Sequence, residues 1–66
     1  MNHHEAREIR ELAEAWARAR VQARVKGIDA STCGTRADYA AARAAEGEAE
    51  DAETAFDEAL RRLTTR

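Results

Sequence analysis

Apolar residues recur along the second half of the chain at alternating steps of three and four: Ala42, Ala45, Ala49, Ala52, Phe56, Ala59 and Leu63. The first half answers with Ile9, Leu12, Trp16, Ala19 and Ala23. This spacing keeps one stripe of a helix turned toward a single neighbour and is the repeat of a coiled coil. Two matched stripes in one short chain predict an all-α fold, a two-helix antiparallel hairpin of coiled-coil type forming a single domain over residues 1–66.

The signals at the ends of the stripes set the expected boundaries. Helix 1 should run from about residue 5 to residue 26, with Glu5, Glu8, Glu11 and Glu14 early and Arg18, Arg20, Arg24 and Lys26 late, as the helix dipole favours. Gly27 then offers a left-handed stop. Residues 27–35 hold two glycines, Asp29, Ser31 and Thr32, and read as the loop. Thr35 followed by Asp38 is a capping-box variant, so helix 2 should span about residues 36–63, with Thr64, Thr65 and Arg66 frayed.

Folding the helices antiparallel sets Ile9, Leu12 and Trp16 against Phe56, Leu60 and Leu63 at the open end. Ala19 and Ala23 meet Ala42, Ala45 and Ala49 beside the loop. The seam therefore tapers. Each helix of a pair buries only one stripe, so the bulky end holds more apolar volume than one hairpin can enclose. Those six large residues are the expected self-association core of a homodimer, a dimeric four-helix bundle.

Val21, Val25 and Ile28 also lie at helical spacing, but rotated away from the Ile9, Leu12 and Trp16 stripe. They require a second neighbour, either the other protomer of a dimer or a heterologous partner gripping the loop end. On the back of helix 2, Ala37, Ala40, Ala44 and Gly47 lie opposite Phe56 and Leu63, and an internal glycine costs about 1 kcal/mol relative to alanine. A backbone approaching closely at Gly47 would account for it. Tyr39 falls off the seam. Val21, Val25, Ile28, Tyr39, Ala40, Ala44 and Gly47 are accordingly the candidates for binding a protein partner.

Composition adds a source and a compartment. Seventeen alanines, ten arginines against one lysine, and no proline favour helix and point to a GC-rich genome, bacterial or phage. The first twenty residues lack the apolar core of a secretory signal, and no apolar run is long enough for a membrane, so a cytoplasmic protein is expected. A single cysteine, Cys33, makes no internal disulfide.

Charge is unevenly spread. Residues 1–14 carry −2, residues 15–45 carry +4 and residues 46–66 carry −4, giving the net −2 of the chain. In a hairpin the first and last segments adjoin, so the open end is acidic and the loop end basic. That field favours head-to-tail association and an acidic partner at the loop end.

Residues Ala23 to Cys33 resemble the turn of a helix-turn-helix DNA-binding motif: Ala23 lies four before Gly27, and the apolar Ile28 and Cys33 follow at the family's spacing. Gln22, Lys26 and Arg36 stand where that family has apolar residues. The resemblance implies a small DNA-binding regulator over residues 17–43, in which Arg24, Lys26, Ser31, Thr32, Arg36 and Arg43 approach bases and phosphates. Against it, Arg18, Arg20, Arg24 and Lys26 point around most of the helix circumference, and the run Glu46, Glu48, Glu50, Asp51, Glu53, Asp57 and Glu58 reads as a solvated flank.

No catalytic constellation emerges. His3, His4 and Glu8 could be drawn as a metal trio, but they are terminal and lack a further ligand. Cys33 has no nearby histidine to act as base. The expectation is therefore no catalytic residue, no metal, no cofactor and no enzymatic activity. What remains is a small helical-hairpin interaction module, an adaptor, inhibitor or structural accessory protein, with DNA binding as the alternative.

Overall fold

A computed structural model describes residues 2–65, except the side chain of Cys33. Two helices account for nearly all of it: α1, His3–Cys33, and α2, Arg36–Thr64. Only Gly34 and Thr35 separate them. They lie antiparallel, as the pairings Trp16 with Phe56 and Glu8 with Arg62 require. The molecule measures 48 × 16 × 11 Å. At ~1.5 Å per residue a helix of α1's length reaches about 46 Å, so the hairpin is one helix long and two helices wide.

The expected seam forms. Ala42, Ala45, Ala49 and Ala59 are buried, and Ala52, Phe56 and Leu63 are half-buried. From α1, Ile9, Leu12, Trp16, Ala19 and Ala23 are half-buried as well. Every residue of the two stripes is at least partly withdrawn from water, whereas the residues between them are mostly exposed.

Both boundaries of helix 1 need correction. Asn2, not Glu5, opens the helix: its side chain accepts a hydrogen bond from the Glu5 N–H at 2.9 Å, satisfying one of the free donors of the first turn. At the other end α1 runs through Gly27 to Cys33, and no described residue has positive φ. The physical reason lies in the seam, because Ala23, Gly27 and Ala30 continue the stripe at steps of four and three. Carrying the helix onward brings Ala30 against α2, where it is the most buried residue, 1 % exposed. Burial and one hydrogen bond per added residue outweigh the ~1 kcal/mol propensity cost of one internal glycine.

The stop falls at Gly34, which has φ −67° and ψ 122°. Its requirement for glycine is one of space. A β-carbon there would run into the Ala30 carbonyl oxygen and lie 2.7 Å from Tyr39 Cε2 and 2.9 Å from the Ala30 carbonyl carbon. Thr35 then caps α2. Its hydroxyl accepts from the Asp38 N–H at 3.3 Å, and its own N–H donates to Asp38 Oδ2 at 3.0 Å, the reciprocal capping box. At the far end α2 includes Thr64, and the Thr65 N–H and hydroxyl both donate to the Arg61 carbonyl, at 3.1 and 2.8 Å. Arg66 lies outside the described residues.

Candidate functional site

The open end is where bulk collects. Ile9, Leu12, Trp16, Phe56, Leu60 and Leu63 are all half-buried, and no large side chain among the described residues is fully buried. The Trp16 and Phe56 rings lie 5.7 Å apart at 31°, an offset contact worth about 1 kcal/mol beyond the area it covers. The indole Nε1 is withdrawn from solvent and has no acceptor. Its position follows from ring packing alone. On the rim of this end, Arg62 donates to Glu8 Oε1 at 2.6 Å across the two helices, with both side chains about half exposed.

The Val21, Val25 and Ile28 stripe is exposed, at 59, 48 and 59 %. At 100° per residue its centre lies nearly opposite the Trp16, Ala23 and Ala30 seam, on the back of α1. Tyr39 is 55 % exposed and stands beside Gly34. Ala40 and Ala44 are exposed, and a β-carbon at Gly47 would meet nothing within 4 Å. Among the described residues, then, no backbone approaches Gly47, and any close contact there belongs to a partner.

The nucleic-acid candidates do not gather on one surface. Arg24 and Lys26 are two residues apart on one helix and so point to opposite sides of it. The Ser31 and Thr32 hydroxyls are turned back onto the Ile28 carbonyl, at 3.1 and 2.8 Å. Arg36 and Arg43 lie on α2, exposed. A helix-turn-helix needs two helices at roughly 90–120° joined by a short turn. Here Gly27 is in mid-helix and the chain reverses fully at Gly34, so the turn of that motif is not formed.

One face of the hairpin carries an open groove of about 380 Å³ between the helices. Arg20 and Arg24 form its α1 wall, Glu46, Glu50 and Glu53 its α2 wall, with Ala23 and Ala49 as the floor. Among the described residues no ion pair joins the two walls, so five charged groups face the opening. A smaller depression of about 270 Å³ beside it takes in Gly27, Ala30, Tyr39 and Ala42. Along the sequence these arginines and glutamates look like solvated positions, whereas the fold sets them face to face. The signal available was the heptad position of Arg20, Glu46 and Glu53, which directly follow seam residues and so take the flank where coiled coils carry the charges that select partners.

Among the described residues no group of three or more metal-ligating side chains comes together. His3 and His4 are exposed in the first turn of α1, and the Cys33 thiol lies outside the described residues. The titration that stands out is that of Asp38. The Thr35 backbone N–H, then the Thr35 hydroxyl, hold its carboxyl below the usual carboxylate value. That is a helix cap, not a catalytic group. No described helix is long and apolar enough to cross a membrane. Comparison with family models, curated proteins and solved structures finds no match for this chain.

Proposed function

We propose that this chain is a non-enzymatic helical-hairpin interaction module that self-associates through its groove face and bulky open end and offers the back of α1 to a protein partner. One observation carries the reading: among the described residues the hairpin fully buries only five alanines, leaves Ile9, Leu12, Trp16, Phe56, Leu60 and Leu63 partly exposed, and leaves Val21, Val25, Ile28 and Tyr39 about half exposed. Full burial of a residue such as Leu or Phe is worth roughly 1.5–3 kcal/mol, so a surface that covers the remaining exposed parts of Ile9, Trp16, Phe56 and Leu60 gains a fraction of that at each, and the gains add over the cluster. The exposed Val21, Val25 and Ile28 repeat, at steps of four and three, is the form in which one helix presents a ridge to another.

An adaptor, inhibitor or structural accessory role fits such a surface. An enzymatic role would need a concave site with convergent acid, base or nucleophile, whereas the grooves here are open and their charges lie along helix flanks. The bacterial or phage source and the cytoplasmic setting belong to the same proposal, on the alanine and arginine bias and the single cysteine.

The test is sedimentation equilibrium of the isolated chain with a reductant present, read with far-ultraviolet circular dichroism. A helical species of twice the 7.3 kDa chain mass supports self-association. A helical monomer at all concentrations would overturn it. A poorly helical monomer would assign the same apolar residues to a heterologous partner instead.

A further inference from the structure

We propose that the self-associated form is a two-fold dimer with groove facing groove and both loops at the same end, Arg20 and Arg24 of each copy lying along Glu46, Glu50 and Glu53 of the other. The inference rests on the self-association reading above and specifies its geometry.

Each wall of the groove has its own sign. The groove is basic along α1 and acidic along α2, and the walls do not pair with each other. A two-fold axis parallel to the helices stacks a second hairpin on this face so that its α2 lies over the first copy's α1, and the reverse. Both basic walls then meet acidic walls at the same height. The surface is thus complementary to itself, as an isologous interface must be. A partner of one charge sign would match one wall and be repelled by the other.

The alternative stacking, head to tail about an axis across the helices, sets α2 upon α2. Glu50 is the midpoint of Arg36–Thr64, so Glu46, Glu50 and Glu53 of one copy would face Glu53, Glu50 and Glu46 of the next. Like charges would oppose along the centre of the interface. The net charges of the two ends favour this arrangement, but many of those groups lie on the outer sides of the helices. A helix is ~10 Å across and the Debye length is ~8 Å at physiological ionic strength, so the groove charges outweigh them.

Size and apolar content agree. The broad face, 48 by 16 Å, has a footprint of about 770 Å², close to the ~800 Å² per partner of an ordinary stable interface. On the helical wheel Ile9, Ala13 and Leu60 fall on the groove side of the seam, so the same stacking closes the bulky ends of both copies over one another. Val21, Val25 and Ile28 remain outside, on the back of α1.

A paramagnetic label at Arg36→Cys, in a Cys33→Ser background, reads the topology as a label-to-label distance. With helices packed ~10 Å apart, loops at the same end place the labels within about 30 Å of each other. Loops at opposite ends place them near the 48 Å length of the molecule. The double variant Arg20→Glu, Arg24→Glu is expected to weaken the dimer by about tenfold or more, and mixing it with Glu46→Arg, Glu50→Arg, Glu53→Arg to restore association. A dimer with the long distance overturns this geometry and leaves self-association standing. A short distance with an association constant indifferent to the Arg20 and Arg24 reversal overturns the role of the walls, and a monomer at every concentration overturns both readings.

Discussion

Replacing each glycine with alanine in turn should give opposite signs, and the sign should follow the space the structure provides. At Gly34 the backbone, with φ −67° and ψ 122°, suits any L-residue, so the usual gain from stiffening the unfolded chain, about 0.4–1 kcal/mol, is available. Space opposes it. The new methyl would collide with the Ala30 carbonyl oxygen and stand 2.7 Å from Tyr39 Cε2. The exposed Tyr39 ring can swing away, but Ala30 is held in the helix and packed against α2. Forcing such a contact costs about 1–3 kcal/mol, leaving a net loss of about 1–2 kcal/mol. For a domain of this size each kcal/mol moves the Tm by roughly 4–8 °C, so Gly34→Ala should melt roughly 5–15 °C lower. Gly27→Ala and Gly47→Ala add a methyl inside a helix where nothing lies within 4 Å, and each should raise stability by about 1 kcal/mol. Melting curves at 222 nm, recorded at one protein concentration because association shifts the Tm, give the comparison. A Gly34→Ala protein as stable as the parent would refute the claim that the reversal depends on space at residue 34. A Gly27→Ala protein that loses stability would refute the placement of Gly27 within α1.

Further predictions concern the cap, the rim and the aromatic pair. Thr35→Ala removes one half of the capping box and should cost about 1 kcal/mol, read as a lower Tm. Asp38 is held below its unfolded pKa of about 3.9, so its contribution is present above that value and is lost as pH falls through the folded pKa; below about pH 4 the parent should lose stability more steeply than Asp38→Asn, in melts stepped from pH 5 to 2.5. Glu8→Gln breaks the pair with Arg62, but both groups are about half exposed, so the loss should stay under about 1 kcal/mol and fade in molar salt. Trp16→Phe keeps a ring on Phe56 and removes a desolvated N–H that has no acceptor; it should cost much less than the ~3–5 kcal/mol of Trp16→Ala in urea titrations.

The hairpin was legible because both helices repeat one simple instruction over many turns. Its register could be read from where Trp16 and Phe56 fall, and the start of α2 from Thr35 and Asp38. The end of α1 was misread because Gly27 and Gly34 offer the same local stop, and only tertiary packing separates them. Ala30 decides the matter, yet in sequence it is one more alanine. The candidate surfaces were half legible for a related reason. Val21, Val25 and Ile28 are visibly out of phase with the seam, whereas the meaning of Arg20, Arg24, Glu46, Glu50 and Glu53 depends on the rotation of one helix against another. A pattern read along one helix cannot supply that rotation.

The taper of the seam links these observations to function. Near the loop, Ala30, Ala42, Ala45 and Ala49 are buried by the hairpin itself, so the seam there is closed. Toward the open end the side chains grow and the burial falls, with Trp16 and Phe56 meeting each other while remaining part exposed. Along the seam, contacts added by another surface therefore gain most where the chain ends lie, whereas toward the loop it is the back of α1, with Val21, Val25 and Ile28, that stays uncovered. In the proposed dimer, orientation is set elsewhere, by charges at mid-length that have opposite signs on the two helices. Separating the apolar surface, which supplies affinity, from the charged flanks, which choose the arrangement, is how helical bundles reach a single topology from near-uniform sequences. In this chain the alanine seam fixes the hairpin, and in the proposed dimer the aromatic end supplies the surface to be covered while the signs of the groove walls select the cover that fits.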